Sequence, residues 1–248
     1  MEFSSGIVKK EPVRCVIYGV EGIGKSTLAS MFPAPVFIDT EHGTTRLNVK
    51  RAVPADFSDM VDGIQKLADG ENTKTIIIDS LDRAEVLLEQ YAVDYINATQ
   101  AREPVDAIED LPHGRGYVAL DKATLNFISV LNEAWQKGKN IVLVAHAKVD
   151  KYIPVGEPEG YDRYTLKLRK RTQPFYKEWA DMVLFANYRT IVKKDPKNKS
   201  AKAIAVGNER VLFTERTENF DAKNRYGLAP ELPLDYESIK NVIEQDEE

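Results

Sequence analysis

Val13-Arg14-Cys15-Val16-Ile17-Tyr18-Gly19-Val20-Glu21-Gly22-Ile23-Gly24-Lys25-Ser26 is the stretch that decides the fold of this chain. Its apolar first half predicts a short buried strand. The eight residues from Gly19 to Ser26 match the phosphate-binding loop pattern G-x-x-x-x-G-K-[ST]. Lys25 to Met31 then predicts the start of a helix. A strand, a glycine-rich loop and a helix in this order open a βαβ unit.

The loop pattern carries a specific chemistry. Its glycines let successive backbone N–H groups face phosphate oxygens at the start of a helix. We expect Lys25 to reach the β and γ phosphates of ATP and to act in catalysis, and the Ser26 hydroxyl to ligate Mg²⁺. The residues predicted to bind the nucleotide are Gly19, Gly22, Ile23, Gly24, Lys25, Ser26 and Thr27. The alternative is an ordinary glycine turn with no ligand.

Further along the chain, apolar strands alternate with helical periodicity. The predicted strands that follow the first are Val36–Asp39, Thr75–Asp79 and Ile141–Ala145. Apolar strands separated by helices predict an α/β fold with a mostly parallel sheet flanked by helices.

The last hundred residues have a different pattern, with short strand segments close together. These segments are Met182–Phe185, Tyr188–Val192, Ala201–Val206 and Val211–Thr214, with a predicted hairpin loop at Asp195–Lys199. They predict an antiparallel C-terminal extension of the sheet. Two stretches rich in Pro and Gly, Ala101–Gly116 and Lys148–Asp162, predict long loops of the kind that are often functional.

Polar residues stand where the predicted parallel strands end, at the sheet edge where ligands bind in open α/β folds. Asp79 ends an apolar strand and is a candidate second metal residue with Ser26. Glu41 follows the second strand, and we expect it to orient and polarise the attacking water. His146 ends the fourth strand and is a candidate sensor of the γ phosphate.

Each of these assignments has a structural alternative. Asp79 could cap the next helix, and Asp39 or Glu41 could cap the turn after the second strand. His146 could be a histidine with a purely structural role.

Composition and charge exclude several classes of protein. The chain has 248 residues, 43% of them hydrophobic and 29% charged, which is typical of a globular protein. A net charge of −5 argues against indiscriminate binding to nucleic acid, although the stretch from Lys148 to Lys177 is locally basic. No uncharged run is long enough for a membrane helix. The single Cys15 and the lack of a secretory signal pattern favour the cytoplasm.

A family resemblance adds to these motifs. The phosphate-binding loop, the segment Phe37–His42, the strand ending at Asp79 and the strand-end His146 together resemble the RecA-like P-loop ATPase core. Lys223-Asn224-Arg225-Tyr226-Gly227 resembles the Lys-Asn-Arg-Phe-Gly motif of RadA-type recombinases. With the Leu111–Tyr117 segment, the chain is most similar to the small phage-encoded Sak-group proteins, which act in single-strand annealing or recombination.

The resemblance implies more than the residues alone do. It implies a homo-oligomer, a ring or a filament, with ATP at subunit interfaces and with Lys223 and Arg225 reaching the neighbour's nucleotide. It implies single-stranded DNA as a partner, a single-strand-binding protein as a further candidate partner, no membrane, and the cytoplasm of a bacterial host. It also implies one RecA-like ATPase domain over residues 1–235, followed by a C-terminal helix and acidic tail over residues 236–248.

The same resemblance identifies the two predicted loops as DNA-facing elements. The cations and aromatic residues they offer are Arg115, Tyr117, Lys148, Lys151, Tyr152, Tyr161, Arg163 and Tyr164. Cations on phosphates with aromatic rings for base stacking suit sequence-independent binding of a single strand. Tyrosines packed under a loop are the alternative. For the whole chain, the alternatives are a helicase or loader-type DNA motor and a nucleotide-switched oligomeric binding module without significant hydrolysis.

Overall fold

A computed structural model describes residues 11–99, 103–156, 158–189, 191–193, 204–206 and 208–244. The strands are β1 (Arg14–Gly19), β2 (Pro35–Asp39), β3 (Lys50–Ala52), β4 (Thr75–Asp79), β5 (Asn140–Tyr152), β6 (Tyr161–Leu166), β7 (Met182–Tyr188), β8 (Ile191–Lys193), β9 (Ile204–Val206), β10 (Arg210–Phe213), β11 (Lys223–Asn224) and β12 (Glu231–Pro233). The helices are α1 (Lys25–Ala29), α2 (Phe57–Asp69), α3 (Leu81–Thr99), α4 (Arg115–Gln136), α5 (Gln173–Trp179) and α6 (Lys240–Glu244), with short 3₁₀ turns at Gly43–Arg46, Ile108–Asp110 and Pro112–Gly114.

Ten of these strands form one sheet. Its order is β12-β10-β7-β1-β5-β4-β2-β3, with β11 also paired to β7 and β6 to β5. The six strands from β7 to β3 in this order run parallel to their neighbours, whereas β10, β11 and β12 pair antiparallel at the C-terminal side. The predicted α/β fold, a mostly parallel sheet flanked by helices with an antiparallel C-terminal extension, is therefore confirmed.

The sheet is buried on both faces, which explains why the middle residues of its central strands are apolar on both sides. Along β4, the side chains of Ile76 and Ile78 belong to one hydrophobic cluster and Ile77 belongs to the other. Helices α2, α3 and α4 supply the first cluster, and α1 and α6 supply the second. Period-two alternation between two apolar layers is what a doubly covered parallel sheet requires.

The C-terminal segment packs on the same core as α1. Tyr236, Ile239 and Ile243 are buried in the second cluster, and the Tyr236 ring lies 5.7 Å from the ring of Phe32. Residues 236–244 thus contribute apolar surface to the core on the α1 side of the sheet. Residues 245–248 of the predicted acidic tail lie outside the described residues, as does the predicted hairpin loop Asp195–Lys199.

One predicted loop is a β-hairpin. The prediction of a loop from Lys148 to Asp162 is wrong at both ends, because β5 continues to Tyr152 and β6 starts at Tyr161. The two strands pair antiparallel from Ala147 opposite Leu166 to Tyr152 opposite Tyr161. The Pro and Gly residues occupy the turn, while the flanking strands carry charged residues, of which Lys151 and Asp162 are exposed and Arg163 is buried.

The other predicted loop, Ala101–Gly116, is partly helical. It contains two 3₁₀ turns, and α4 already begins at Arg115. Arg115 and Tyr117 therefore lie in the first turn of a helix instead of in a loop, while residues 101 and 102 are outside the described part. Among the helices that the structure describes, none combines the length and apolar character needed to cross a membrane.

Candidate functional site

Three strand ends and one residue within β5 meet at one edge of the sheet. The prediction that His146 ends its strand is wrong, because β5 continues to Tyr152 as part of the hairpin. Gly19 at the end of β1 lies opposite His146 on β5, and Asp39 at the end of β2 lies opposite Asp79 at the end of β4. Because these strands are parallel, their carboxyl ends face the same side. The predicted strand-end residues are therefore neighbours in space.

The glycine-rich loop connects β1 to α1 in a conformation that requires its glycines. Gly24 has a φ of 113°, which side-chain-bearing residues rarely adopt. A Cβ atom at Gly19 would lie 2.0 Å from the carbonyl oxygen of Ala186 on the neighbouring strand β7. The loop thus combines close strand packing at its start with a left-handed residue where the helix begins.

Lys25 is folded back onto this loop. Its Nζ donates to the carbonyl oxygens of Gly19, at 3.1 Å, and Val20, at 3.0 Å. Burial lowers the pKa of Lys25, although Asp79, Asp82 and Glu41 oppose the shift. The ammonium group is therefore held in a partly dehydrated position beneath several carboxylates.

Ser26 and Asp79 face each other across the site. Burial raises the pKa of Asp79, and the hydrogen bond from the Ser26 hydroxyl opposes this shift. A hydroxyl and a buried carboxylate are hard oxygen donors of the kind that hold Mg²⁺ beside a nucleotide. The donor set present here fits the predicted metal, and a bound cation would favour the ionised form of Asp79 that burial disfavours.

The turn after β2 separates the roles of its two carboxylates. Asp39 accepts hydrogen bonds from the backbone N–H groups of Glu41, Gly43 and Thr44, and from the Thr44 hydroxyl at 2.6 Å. Burial alone would raise the pKa of Asp39, but these hydrogen bonds outweigh it and the pKa is lowered. Asp39 is therefore the residue that caps the turn.

Glu41 is directed toward the strand-end cluster by this turn. Its Oε1 accepts a hydrogen bond of 2.5 Å from the Ser80 hydroxyl, and the same oxygen lies 3.6 Å from Nδ1 of His146. Its carboxylate is about a quarter exposed, with a side-chain accessibility of 27%. Glu41 is thus accessible at the edge of the site, and its carboxylate is held by Ser80, the residue after Asp79.

His146 is fixed by Asp82, a residue that the sequence analysis did not identify. Asp82 accepts from the backbone N–H of His146 at 2.9 Å, and its Oδ2 lies 3.1 Å from Nδ1 of the ring. The hydrogen bond to Asp82 raises the pKa of His146 despite partial burial. Burial would raise the pKa of Asp82, but the bonds from His146 outweigh it and the pKa is lowered. One potential ligand atom each from Glu41, Asp82 and His146 lies within 4.8 Å of the other two.

A second residue missed from the sequence is Arg210. It lies on β10, next to β7, and its Nη1 is 3.4 Å from the carbonyl oxygen of Ile23 in the glycine-rich loop. The contact joins residues 187 positions apart, so only the antiparallel extension of the sheet brings them together. The sequence offers a weak indication of Asp82, because this residue lies three positions after Asp79, in the first turn of α3. It offers no indication of Arg210.

Lys223 and Arg225 are not brought to this edge. Lys223 lies in β11, which pairs with the start of β7, and Arg225 directly follows that strand. This is the end of the sheet opposite the glycine-rich loop. Lys223 Nζ donates to three carbonyl oxygens near the end of α5, those of Lys177, Glu178 and Ala180. Arg225 pairs with Asp181 at 2.9 Å and is about half exposed. Within one chain, neither cation reaches the nucleotide-binding loop.

The residues expected to contact DNA have different degrees of exposure. Tyr164 is half-buried and packs on Phe185, with ring centroids 5.2 Å apart, so its ring face is used inside the protein. Tyr152 and Tyr161 pack against each other near the end of the hairpin, at 5.5 Å. Arg163 is buried, with an exposed fraction of 8%. Lys151 is exposed on the hairpin.

Comparisons with known proteins were made for the whole chain. A family model described as "AAA domain" (AAA_24) matches residues 11–226. Among solved structures, the fold is similar to that of the KaiC-like protein PH0186 from the hyperthermophilic archaeon Pyrococcus horikoshii OT3. That match has 14% sequence identity and a TM-score of 0.41, and it covers 82% of this chain and 78% of that chain. No curated protein matches the sequence.

Proposed function

The chain belongs to the AAA domain family of P-loop ATPases, and from this premise we propose that it binds ATP with Mg²⁺ and hydrolyses it at the strand-end cluster. The observation that carries the proposal is the convergence of Lys25, Ser26, Asp79, Glu41 and His146 on one edge of the sheet. These residues supply a phosphate-binding loop, a pair of oxygen donors for a metal and a carboxylate beside a histidine. Such a set is what phosphoryl transfer to water requires.

In the proposed reaction, the loop from Gly19 to Thr27 binds the phosphates through its backbone N–H groups. Lys25 exchanges its bonds to the carbonyl oxygens of Gly19 and Val20 for bonds to phosphate oxygens. Ser26 and Asp79 would hold Mg²⁺, which neutralises charge on the β and γ phosphates.

Glu41 is proposed to receive the proton of the attacking water. The water oxygen forms a bond to the γ phosphorus, the bond from that phosphorus to the bridging oxygen breaks, and ADP and phosphate result. Ser80 holds Glu41 by its hydroxyl, and His146, held by Asp82, lies 3.6 Å from the same carboxylate oxygen. We propose that His146 contacts the γ phosphate when ATP is bound. The presence or absence of this contact then affects the hairpin, whose first strand is the continuation of β5.

The oligomeric part of the proposal concerns Lys223 and Arg225. These cations lie at the opposite end of the sheet from their own P-loop, so any nucleotide that they serve belongs to a neighbouring subunit. Half-exposed Arg225 is proposed to reach that neighbour, in a ring or filament with ATP between subunits. A cation placed on the γ phosphate in this way is worth factors of about 10³ to 10⁵ in rate.

The biological part of the proposal is single-stranded DNA binding in phage recombination or annealing, as in the Sak group. It is supported by the similarity of Lys223–Gly227 to the recombinase motif and by the locally basic stretch from Lys148 to Lys177, which begins two residues after His146. A hairpin joined to a γ-phosphate contact gives the nucleotide state a physical route to a DNA-facing element.

The test is steady-state ATP hydrolysis with and without single-stranded DNA, at low and moderate salt, beside a Lys25→Ala control. Stimulation by DNA that depends on Lys25 and weakens as salt rises supports the whole proposal. Hydrolysis that ignores DNA at every salt concentration retains the ATPase and removes the recombination role. ATP binding without turnover under any condition favours a nucleotide-switched binding module, and directional unwinding of a forked duplex favours a helicase.

A further inference from the structure

A second cationic cavity lies away from the P-loop, between the hairpin β5–β6, α5 and the segment before β11. Its volume is about 370 Å³, within the range of small-ligand sites. Five cations line it, namely Lys151, Arg163, Lys170, Lys177 and Arg216. The only acidic residues among the described lining are Asp150 and Asp221, so the lining carries a net charge of +3.

Both aspartates are already engaged by neighbouring cations. Asp221 accepts from Arg163 Nη2 at 2.5 Å and from Lys177 Nζ at 2.9 Å, and Arg216 lies 4.0 Å away. Asp150 pairs with Lys148, at 3.4 Å. Within the described ranges, Lys151 and Lys170 form no ion pair and are exposed. The cavity therefore has more positive charge than its own carboxylates neutralise.

Arg163 is the residue that points to a ligand. Its side chain is more than nine-tenths buried, and its recorded hydrogen bonds, to Asp221, Thr217 and Phe220, all come from Nη2. Its Nε is buried without a hydrogen-bond partner among the described residues. A buried guanidinium donor without a partner is costly, and a bound ion or water molecule is one way to satisfy it.

The walls of the cavity are rigid enough to form a built site. Gln173 accepts from the Thr165 hydroxyl at 2.7 Å and donates to the carbonyl oxygens of Leu166 and Leu168 at 3.0 Å. The Tyr152 ring covers the guanidinium of Arg163 at 5.6 Å. The backbone oxygen of Asp221 accepts a 2.5 Å hydrogen bond from the Tyr18 hydroxyl, which ties one wall to the strand that leads into the P-loop.

We propose that this cavity binds a phosphate group, separate from the nucleotide at the P-loop. Guanidinium and ammonium groups that converge on one volume, with an unpartnered Arg donor, match the charge and hydrogen-bonding capacity of phosphate oxygens. The phosphate is that of a nucleic-acid backbone or of a free phosphate compound. The inference rests on the proposed function, through its DNA binding, only if the phosphate belongs to a nucleic-acid backbone.

The test compares two charge-matched double variants in a Lys25→Ala background, which weakens phosphate binding at the P-loop. Lys151→Ala/Lys170→Ala removes the two exposed cavity lysines, whereas Lys50→Ala/Lys66→Ala removes two exposed lysines elsewhere. Calorimetry with inorganic pyrophosphate and anisotropy with a labelled single-stranded oligonucleotide are measured on each. We expect pyrophosphate affinity to fall about tenfold in the cavity variant and to stay unchanged in the control.

The oligonucleotide arm identifies the source of the phosphate. If it is a DNA backbone, oligonucleotide affinity falls in the cavity variant alone, and the salt slope decreases by about one to two. If wild-type protein binds no oligonucleotide but pyrophosphate binding still depends on the cavity, the DNA part of the proposed function fails and the cavity proposal stands. Equal binding by the cavity variant and the control, to both probes, overturns the cavity proposal and leaves the ATPase untouched.

Discussion

Asp82 holds His146 at two points, by the backbone N–H at 2.9 Å and by ring Nδ1 at 3.1 Å. The backbone bond fixes β5 at the point where its pairing with β4 stops and its pairing with β6 begins, and the ring bond fixes the imidazole beside Glu41. A carboxylate bonded to one ring nitrogen leaves the other free for a phosphate or a water molecule. The pair therefore determines both the orientation and the charge of His146.

Asp82→Asn is expected to lower the pKa of His146 toward its ordinary value, because the bond that raises it loses its charge. The raised pKa makes protonated His146 stabilising. That stabilisation is fully present below the unfolded-state pKa and is lost as the pH rises through the folded-state pKa. Asp82→Asn should therefore weaken stability most on the acid side. The histidine titration is measured by NMR, with His146→Gln to assign the signal among the three histidines.

An unchanged His146 titration in Asp82→Asn would mean that the contact does not control the imidazole. ATP turnover is recorded across the same pH range. A merely structural role for Asp82 predicts lower stability with an unshifted pH–rate profile.

Glu41→Gln is expected to reduce turnover by about 10² to 10⁴ while ATP binding is retained. Glutamine keeps the size of the side chain and can still accept from the Ser80 hydroxyl, but it cannot receive the proton of a water molecule. Turnover and the affinity for a fluorescent ATP analogue are measured together, with the exposed Glu71→Gln as the charge-matched control. Normal turnover in Glu41→Gln would show that another group activates the water.

Asp79→Asn is expected to stabilise the free protein and to reduce the further stabilisation that Mg²⁺ and ATP provide. Burial raises the pKa of Asp79, so the ionised carboxylate costs stability above that pKa, and the neutral amide removes this cost. We expect the free protein to gain about 1 kcal/mol at neutral pH, as with other relieved functional sites. Thermal denaturation with and without Mg²⁺ and ATP measures both effects. Loss of stability in the free protein, or an undiminished gain from Mg²⁺ with ATP, contradicts the assignment.

The sequence predicts those residues of the candidate site that follow apolar segments. Gly19, Asp79 and His146 follow apolar strands, and the parallel order of those strands is sufficient to bring them together. Asp82 escapes this reasoning because an acidic residue in the first turn of a helix is common for electrostatic reasons alone. Its contact with His146, 64 residues away, exists only because β4 lies next to β5 in the sheet.

The hairpin shows a second limit of the sequence. The Pro and Gly residues between Pro154 and Gly160 correctly indicate a turn, but the strands on either side are mostly polar, so they lack the apolar pattern of the core. The burial of Arg163 and Tyr164 depends on Asp221 and Phe185, which are distant in sequence. Local residue types could not distinguish a solvent-facing cation from a buried one.

The contribution of Arg225 to a neighbouring site is tested by mixing two inactive variants. Arg225→Ala keeps an intact P-loop, and Lys25→Ala keeps an intact Arg225, so a mixed oligomer contains some interfaces with both. We expect each variant alone to lose about 10³ or more in turnover and the mixture to regain activity. Arg225 is preferred over Lys223 for this test, since Lys223 also holds three carbonyl oxygens near the end of α5.

The matched control is Lys74→Ala, an exposed cation at the start of β4, which should leave turnover unchanged. Recovery that increases with the fraction of mixed oligomers requires the two groups to act from different chains, because neither chain has a complete set. If Arg225→Ala is fully active alone, or if no mixture recovers activity, Arg225 does not act across an interface. Its ion pair with Asp181 then accounts for its position, since that contact joins β7 to the loop after β11 within one chain.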